Sequence, residues 1–176
     1  LAGAIGAQVL REGGNAFDAS IAVAAAEGVT LPMMCGLGGE VFALLYHAES
    51  KKLYGVSGSG RAPMGASRDY FVSRGFEKMP ADGPLTPAVP GEVGAWQTIL
   101  DKFGTTTMER LVEPAIGLAT EGFPLPGRTA GYFVKPYYDK LAKYPSTAKV
   151  FIKSDGSPYL LGDVLAQPDL ARSLKR

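Results

Sequence analysis

Gly13-Gly14-Asn15-Ala16-Phe17-Asp18-Ala19, then Gly36-Leu37-Gly38-Gly39-Glu40-Val41-Phe42-Ala43-Leu44, then Gly58-Ser59-Gly60-Arg61-Ala62-Pro63 decide how this chain is read. Asn15 follows two glycines and precedes an alanine-rich stretch. A short side chain there can accept hydrogen bonds from the first free amides, which predicts a helix over Ala16 to Glu27. Met33 to Glu40 is a glycine-dense turn that feeds the apolar run Val41 to Tyr46. With no polar alternation, that run reads as a strand covered on both faces. Leu53 to Val56 is expected to pair with it across the polar loop His47 to Lys52, so the hairpin opens a sheet.

Outward from this core the elements follow from periodicity. Ala2 to Glu12 carries Ile5, Val9 and Leu10 at helical spacing and stops at Gly13-Gly14, where glycine suits the left-handed C-terminal position. Ala22, Ala24, Ala25, Ala26 and Gly28 allow close backbone approach, as for a helix laid on a sheet. Met79 to Gly91 is dense in proline and glycine and reads as a rigid surface loop. Val93, Trp96, Leu100 and Phe103 share a helical face that Gly104 ends. Thr107 to Glu121 turns Leu111, Val112, Ala115, Ile116 and Ala119 inward, with a kink or restart expected at Pro114. In the tail, Tyr137 to Tyr144 predicts a short helix. Val150 to Leu161 predicts a loose hairpin turning at Asp155-Gly156, and Pro168 opens a last helix.

Composition bounds the function classes. The 176 residues are 46% hydrophobic and 20% charged, which is ordinary for one globular domain or a little more. Basic and acidic residues number 18 and 17 and are scattered, for a net charge of +1, so no phosphate-tracking surface is expected. Nucleic acid is an unexpected partner. One cysteine and one histidine cannot build a disulfide framework or a zinc site within the chain, and no metal or other cofactor is implied. The apolar run Ile21 to Ala26 is too short to span a bilayer. Leu1-Ala2 opens a helical pattern without an initiator methionine, so any leader would lie upstream and the compartment is not readable.

Among candidates for chemistry, Arg61 is the sharpest. An arginine in a glycine-rich turn presents a planar fork to a carboxylate, and its other use is to tie loop carbonyls. The Gly36 to Gly39 turn is no dinucleotide fingerprint, because a strand follows where a helix is required. Its expected use is close backbone packing, with anion binding by its amides as the other possibility. Cys35 has only His47 as a conceivable base, about 20 Å away along an extended strand, so it reads as a small buried apolar residue. His47 and Glu40 read as solvated. Thr105-Thr106-Thr107 reads as a helix cap, since a threonine nucleophile that uses its own α-amine must stand at a chain terminus.

The three opening motifs resemble, in order, the front of the large subunit of the gamma-glutamyltranspeptidase family of N-terminal-nucleophile hydrolases. Pro87-Ala88-Val89-Pro90-Gly91-Glu92-Val93-Gly94-Ala95-Trp96, Glu113-Pro114-Ala115-Ile116-Gly117-Leu118-Ala119, Glu121-Gly122-Phe123-Pro124, Gly162-Asp163 and Gln167-Pro168-Asp169-Leu170-Ala171 continue the resemblance over nearly the whole chain. It implies an α+β fold, a helix-rich part of a four-layer αββα sandwich, with residues 1–176 as one segment of the large subunit. It also implies an enzyme that moves a gamma-glutamyl group from an amide to water or an amine, through an acyl-enzyme on an N-terminal threonine of a small subunit.

No catalytic residue is then expected within this chain, and its implied partners are the rest of the large subunit, the small subunit and the small-molecule substrate. In the family an Arg-Glu-x-Ala-Pro stretch begins with the arginine that grips the substrate α-carboxylate. Aligning Ala62-Pro63 puts Ser59 at that place and Arg61 two positions late, so Arg61 and Ser59 are the implied substrate contacts. The displacement leaves open an amidase or acylase of the same fold with another acyl preference. A non-catalytic scaffold subunit is the remaining alternative.

Overall fold

A computed structural model describes residues 1–176, which divide into two compact units: Leu1–Gly36 with Thr105–Arg176, and Leu37–Gly104. The first unit is helical. Helix α1 (Ala2–Arg11) ends before Gly13, whose φ of +92° is the left-handed turn expected there. Helix α2 (Ala16–Thr30) starts at Asn15 with a full capping box and runs one turn past the expected end. The Asn15 side chain accepts from the Phe17 and Asp18 amides at 2.8 and 3.0 Å, and Asp18 accepts from the Asn15 amide at 2.8 Å.

Helix α2 is apolar all round, and such a helix is stable only when enclosed. Ile21, Ala22, Ala25, Ala26 and Val29 are buried. Within its unit α2 packs on α1 and on α5 (Met108–Glu121), and its buried alanines serve this helix packing. Helix α5 is capped by Thr107 as expected and buries Leu111, Val112, Ala115 and Ala119, with Ile116 half-buried. Pro114 lies inside α5 without ending it.

The strand pair β3 (Phe123–Pro124) and β4 (Val164–Leu165) is a long-range pairing the sequence did not announce, with Phe123 opposite Leu165 and both side chains buried. Between them lie α6 (Gly127–Thr129), a single π-turn Ala130–Val134, α7 (Tyr138–Ala142) and α8 (Pro145–Phe151). Val150 and Phe151 belong to α8, so the expected hairpin is shorter: Ile152 pairs with Pro158 around Gly156, whose φ is +82°. Helix α9 (Pro168–Leu174) begins at the expected proline and packs on α5. Buried Gln167 joins two layers, its side-chain amide donating to the Val29 carbonyl at 2.8 Å and its backbone amide to Ala119 at 2.8 Å.

The second unit holds the antiparallel hairpin β1 (Phe42–His47) and β2 (Lys52–Ser57), in register from Phe42 opposite Ser57 to His47 opposite Lys52. Its turn carries Lys51 at φ +54°. The expectation of cover on both faces fails within this chain. Leu45 is buried, but Phe42, Leu44 and Tyr46 are 70%, 80% and 60% exposed, with Leu53 at 66% beside them. Two strands leave one face without a second layer. A short helix, α3 (Arg68–Val72), follows the hairpin, and α4 (Glu92–Phe103) closes the unit at Gly104. The buried side of α4 is Glu92, Ala95, Trp96, Ile99 and Leu100, whereas Val93 faces outward, so the inner face is rotated from the one expected.

Candidate functional site

The Ser57-to-Pro63 strip leaves β2 and is fixed by backbone contacts in its own unit. The Gly58 amide donates to the Val41 carbonyl at 2.7 Å, and the Val89 amide donates to the Arg61 carbonyl at 3.0 Å. From the other side, the Gly91 and Glu92 amides donate to the Gly39 carbonyl at 3.2 and 3.3 Å. The strip and the Val89–Glu92 segment therefore lie backbone against backbone.

The glycines make this approach possible. A Cβ on Gly60 would stand 1.4 Å from the Val89 oxygen, and one on Gly91 would stand 2.2 Å from the Gly58 oxygen. No side chain fits either place. The Gly36 to Gly39 turn shares in close packing through the Gly39 carbonyl and through Gly36, whose Cα would lie 3.5 Å from a Cβ on Gly28, although a Cβ on Gly36 or Gly38 itself would meet nothing within 4 Å in this chain.

Arg61 is exposed, and its side chain makes no hydrogen bond, ion pair or ring contact. The loop tie at this position is made by its carbonyl, so the guanidinium is left with all its donors turned to solvent. Ser59 is likewise exposed, two residues earlier on the same strip. Burial alternates along the strip, with Gly58 buried, Gly60 half-buried and Ser59 and Arg61 exposed. Ser59 and Arg61 are thus both exposed on a strip that backbone contacts hold in place.

The other candidates take structural roles. Cys35 is half-buried, with its amide bonded to the Leu31 carbonyl at 3.0 Å. His47 ends β1 as a half-buried residue, which corrects the solvated reading. Its ring lies 5.6 Å from that of Phe103, and Nδ1 is 2.8 Å from Ser50 Oγ. Glu40 is exposed. Thr107 caps α5, its hydroxyl accepting from the Arg110 amide at 3.4 Å.

Sequence reasoning missed the first unit's principal polar node. Asp18 is fully buried, and its carboxylate accepts from the Asn15 amide, from the Thr105 amide at 3.0 Å and from the Thr105 hydroxyl at 2.5 Å. The Asn-x-x-Asp spacing signalled the first bond, but nothing local signals a partner 87 residues away. No group of three or more histidine, cysteine, aspartate or glutamate side chains is arranged to hold a metal ion, and no helix is long and apolar enough to cross a membrane.

The chain is a helix-rich α+β segment, and solved structures similar to it are N-terminal-nucleophile hydrolases. The family model for gamma-glutamyltranspeptidase matches residues 2–176, and the chain belongs to that family. It is 38% identical to the glutathione hydrolase proenzyme of Bacillus subtilis (strain 168) over 179 residues, covering 99% of this chain and 30% of that protein.

The gamma-glutamyltranspeptidase of Helicobacter pylori superimposes with a TM-score of 0.93 at 34% identity, over 99% of this chain and 50% of the solved one. A cephalosporin acylase from Bacillus halodurans superimposes with a TM-score of 0.90 at 32% identity, over 99% and 33%. The chain thus spans about a third of the curated relative's length.

Proposed function

We propose that this chain is a segment of the large subunit of a gamma-glutamyltransferase or glutathione hydrolase, and that Arg61 and Ser59 hold the carboxylate of the acyl donor. The observation that carries this reading is the Arg61 guanidinium, exposed and without a partner on a backbone that glycine contacts hold in place. A fork fixed at its base forms two parallel charge-assisted bonds to a carboxylate with little loss of backbone freedom. Ser59 adds a hydroxyl on the same strip.

In this reading the reacting group is the α-amine-activated hydroxyl of a threonine on a separate, processed subunit. It attacks the donor amide carbonyl, the amine leaves with a proton, and the resulting ester is cleaved by water or by an acceptor amine. Arg61 contributes orientation, since a carboxylate held at one end of the acyl chain places the carbonyl at the other.

A second reading has two observations in its favour. Arg61 stands two positions beyond the family's arginine, and the cephalosporin acylase of Bacillus halodurans is a close structural match. An acyl group of different length would bring its carbonyl to the same nucleophile.

The test is turnover by the complete, processed protein of an L-gamma-glutamyl anilide beside a glutaryl anilide. Preference for the gamma-glutamyl substrate is expected, together with a mass spectrum showing a subunit that begins with threonine. Preference for the glutaryl substrate would move the acylase reading ahead, and an unprocessed, inactive chain would leave the scaffold role.

A further inference from the structure

Charge is balanced over the chain as a whole but not within the first unit's helical tail. Residues 128–153 hold six basic side chains and one acidic, Asp139, whereas the remaining residues hold twelve basic and sixteen acidic. Two of the six are neutralised from outside the segment, Lys149 by Asp169 at 3.4 Å and Lys153 by Asp163 at 2.5 Å. Arg128, Lys135 and Lys143 have no acidic partner, and all three are exposed.

The same segment opens an amphipathic depression of about 1120 Å³, which Arg128 and Lys140 line together with Met33, Met34, Tyr132 and Tyr137. Met34 and Tyr132 are 76% and 78% exposed, and Tyr137 is half-exposed. Lys135 and Lys143 stand three residues on from Tyr132 and Lys140, which makes each a helical neighbour of a lining residue. The platform beneath is packed: Ala130, Val134 and Leu141 are buried, and the Phe133 ring lies 6.3 Å from that of Tyr137 and meets Phe151 edge to face at 5.6 Å.

We infer that this face docks on a membrane surface that carries anionic phospholipid. Tyrosine suits the boundary between headgroup and acyl chain, with its ring on the apolar side and its hydroxyl in water, and Met34 adds apolar area beside it. Lysine and arginine stems lie along the same boundary while their charges meet lipid phosphates. Both halves of the pattern are then used. A soluble polyanion would pair with the cations and leave Met34 and Tyr132 in water, and a neutral bilayer would leave the cations without counter-charge. Each basic residue at such a surface strengthens binding about fivefold, so Arg128, Lys135 and Lys143 together are worth roughly a hundredfold. The attachment is peripheral and weakens as salt screens it.

The test uses the complete, processed protein in a sedimentation assay with sucrose-loaded vesicles, made of phosphatidylcholine alone or of phosphatidylcholine and phosphatidylglycerol in equal amounts. The wild type is expected to bind the mixed vesicles, to ignore the neutral ones, and to bind at least tenfold more weakly at about 1 M salt than at about 0.1 M. Arg128→Gln, Lys135→Gln and Lys143→Gln combined should weaken binding roughly a hundredfold. Lys52→Gln, Lys78→Gln and Lys102→Gln combined remove as much charge from the other unit and should change it by no more than about twofold. Tyr132→Ser should lower binding at both salt concentrations. Melting temperatures at the wild-type value show that the variants are folded.

Equal binding to the two kinds of vesicle, equal losses in the two triple variants, or no binding by the wild type, as when another segment of the protein covers the face, would overturn the inference. So would retention on heparin without vesicle binding, which would make the face a polyanion site. The salt dependence of the wild type needs no variant, and vesicle binding that salt leaves unchanged would overturn the inference even if the triple variant failed to fold.

Discussion

Replacing Gly60 with alanine tests whether backbone contact fixes the Arg61 strip. The added methyl would lie 1.4 Å from the Val89 oxygen and 2.6 Å from its carbonyl carbon, and both neighbours are backbone atoms that no rotamer change can move. The strip must therefore shift, and the bond from the Val89 amide to the Arg61 carbonyl at 3.0 Å is the first lost. Overpacking of this kind costs about 1–3 kcal/mol, and a lost backbone bond adds about 1 kcal/mol.

The total of about 2–4 kcal/mol lowers the melting temperature of a unit of this size by at least about 8 °C. Gly65→Ala is the control, because a Cβ there meets nothing within 4 Å. It is expected to melt within about 0.5 kcal/mol of wild type or slightly above it. Thermal melts and kcat/KM of the complete protein read both variants. A Gly60→Ala protein that melts and turns over like Gly65→Ala would refute the argument that this contact holds the strip.

Three further outcomes are expected. Asp18→Ala strands the Asn15 and Thr105 amides and the Thr105 hydroxyl in a buried site, and should cost about 2–4 kcal/mol by denaturant titration, with Asp18→Asn restoring part of it. The isolated 176-residue chain exposes Phe42, Leu44, Tyr46 and Leu53 on one sheet face, so it should bind a hydrophobic dye and self-associate by light scattering, and Leu44→Lys should reduce both. The Lys153–Asp163 pair, 2.5 Å apart, makes stability depend on pH at both ends.

The Lys153 hydrogen bond, aided by the Leu160 amide, holds the Asp163 carboxyl below the usual range, so its contribution is present above the ordinary aspartate value and is lost as pH falls through the lowered one. Asp163 pushes the Lys153 ammonium up, so that contribution is present below the ordinary lysine value and is lost as pH rises through the raised one. Asp163→Asn should flatten the acid limb of a melting-temperature profile, and an unchanged limb would show that the pair contributes nothing there.

What was legible in the sequence is what local chemistry determines. Asn15, Gly13, Thr107, Gly104 and Pro168 mark helix ends by their own hydrogen bonds and backbone preferences, and each does so in the structure. The Val41-to-Tyr46 run was legible as a strand but not as half-exposed, because an unbroken apolar run looks the same whether a second layer comes from this chain or from elsewhere. Helices α3 and α8 and the two-residue strands β3 and β4 are too short to carry a period. Pro114 does not break α5, which is held by four buried residues across two turns.

At the site, the sequence singled out Arg61 and Ser59, but why Gly60 must be glycine depends on Val89, and Asp18 draws its partners from Thr105. Both are long-range pairings that no spacing reveals. A pocket lined by Ala62, Pro63, Phe71 and Leu85 is invisible for the same reason, because its walls come from segments about 20 residues apart.

The most direct test of the account is Arg61→Ala in the complete enzyme, assayed with a gamma-glutamyl anilide that has a free α-carboxylate and with its α-carboxamide analogue. One charge-assisted fork is worth about 1.5–3 kcal/mol, so kcat/KM for the carboxylate substrate should fall roughly tenfold or more. The analogue, which cannot use the fork, should change little. Arg61→Lys should rescue only part of the loss, because a point charge lacks the bidentate geometry. Melting temperature should stay at the wild-type value, since the Arg61 side chain bonds nothing in this chain. Unchanged kcat/KM together with a lower melting temperature would contradict the account and make Arg61 a structural residue.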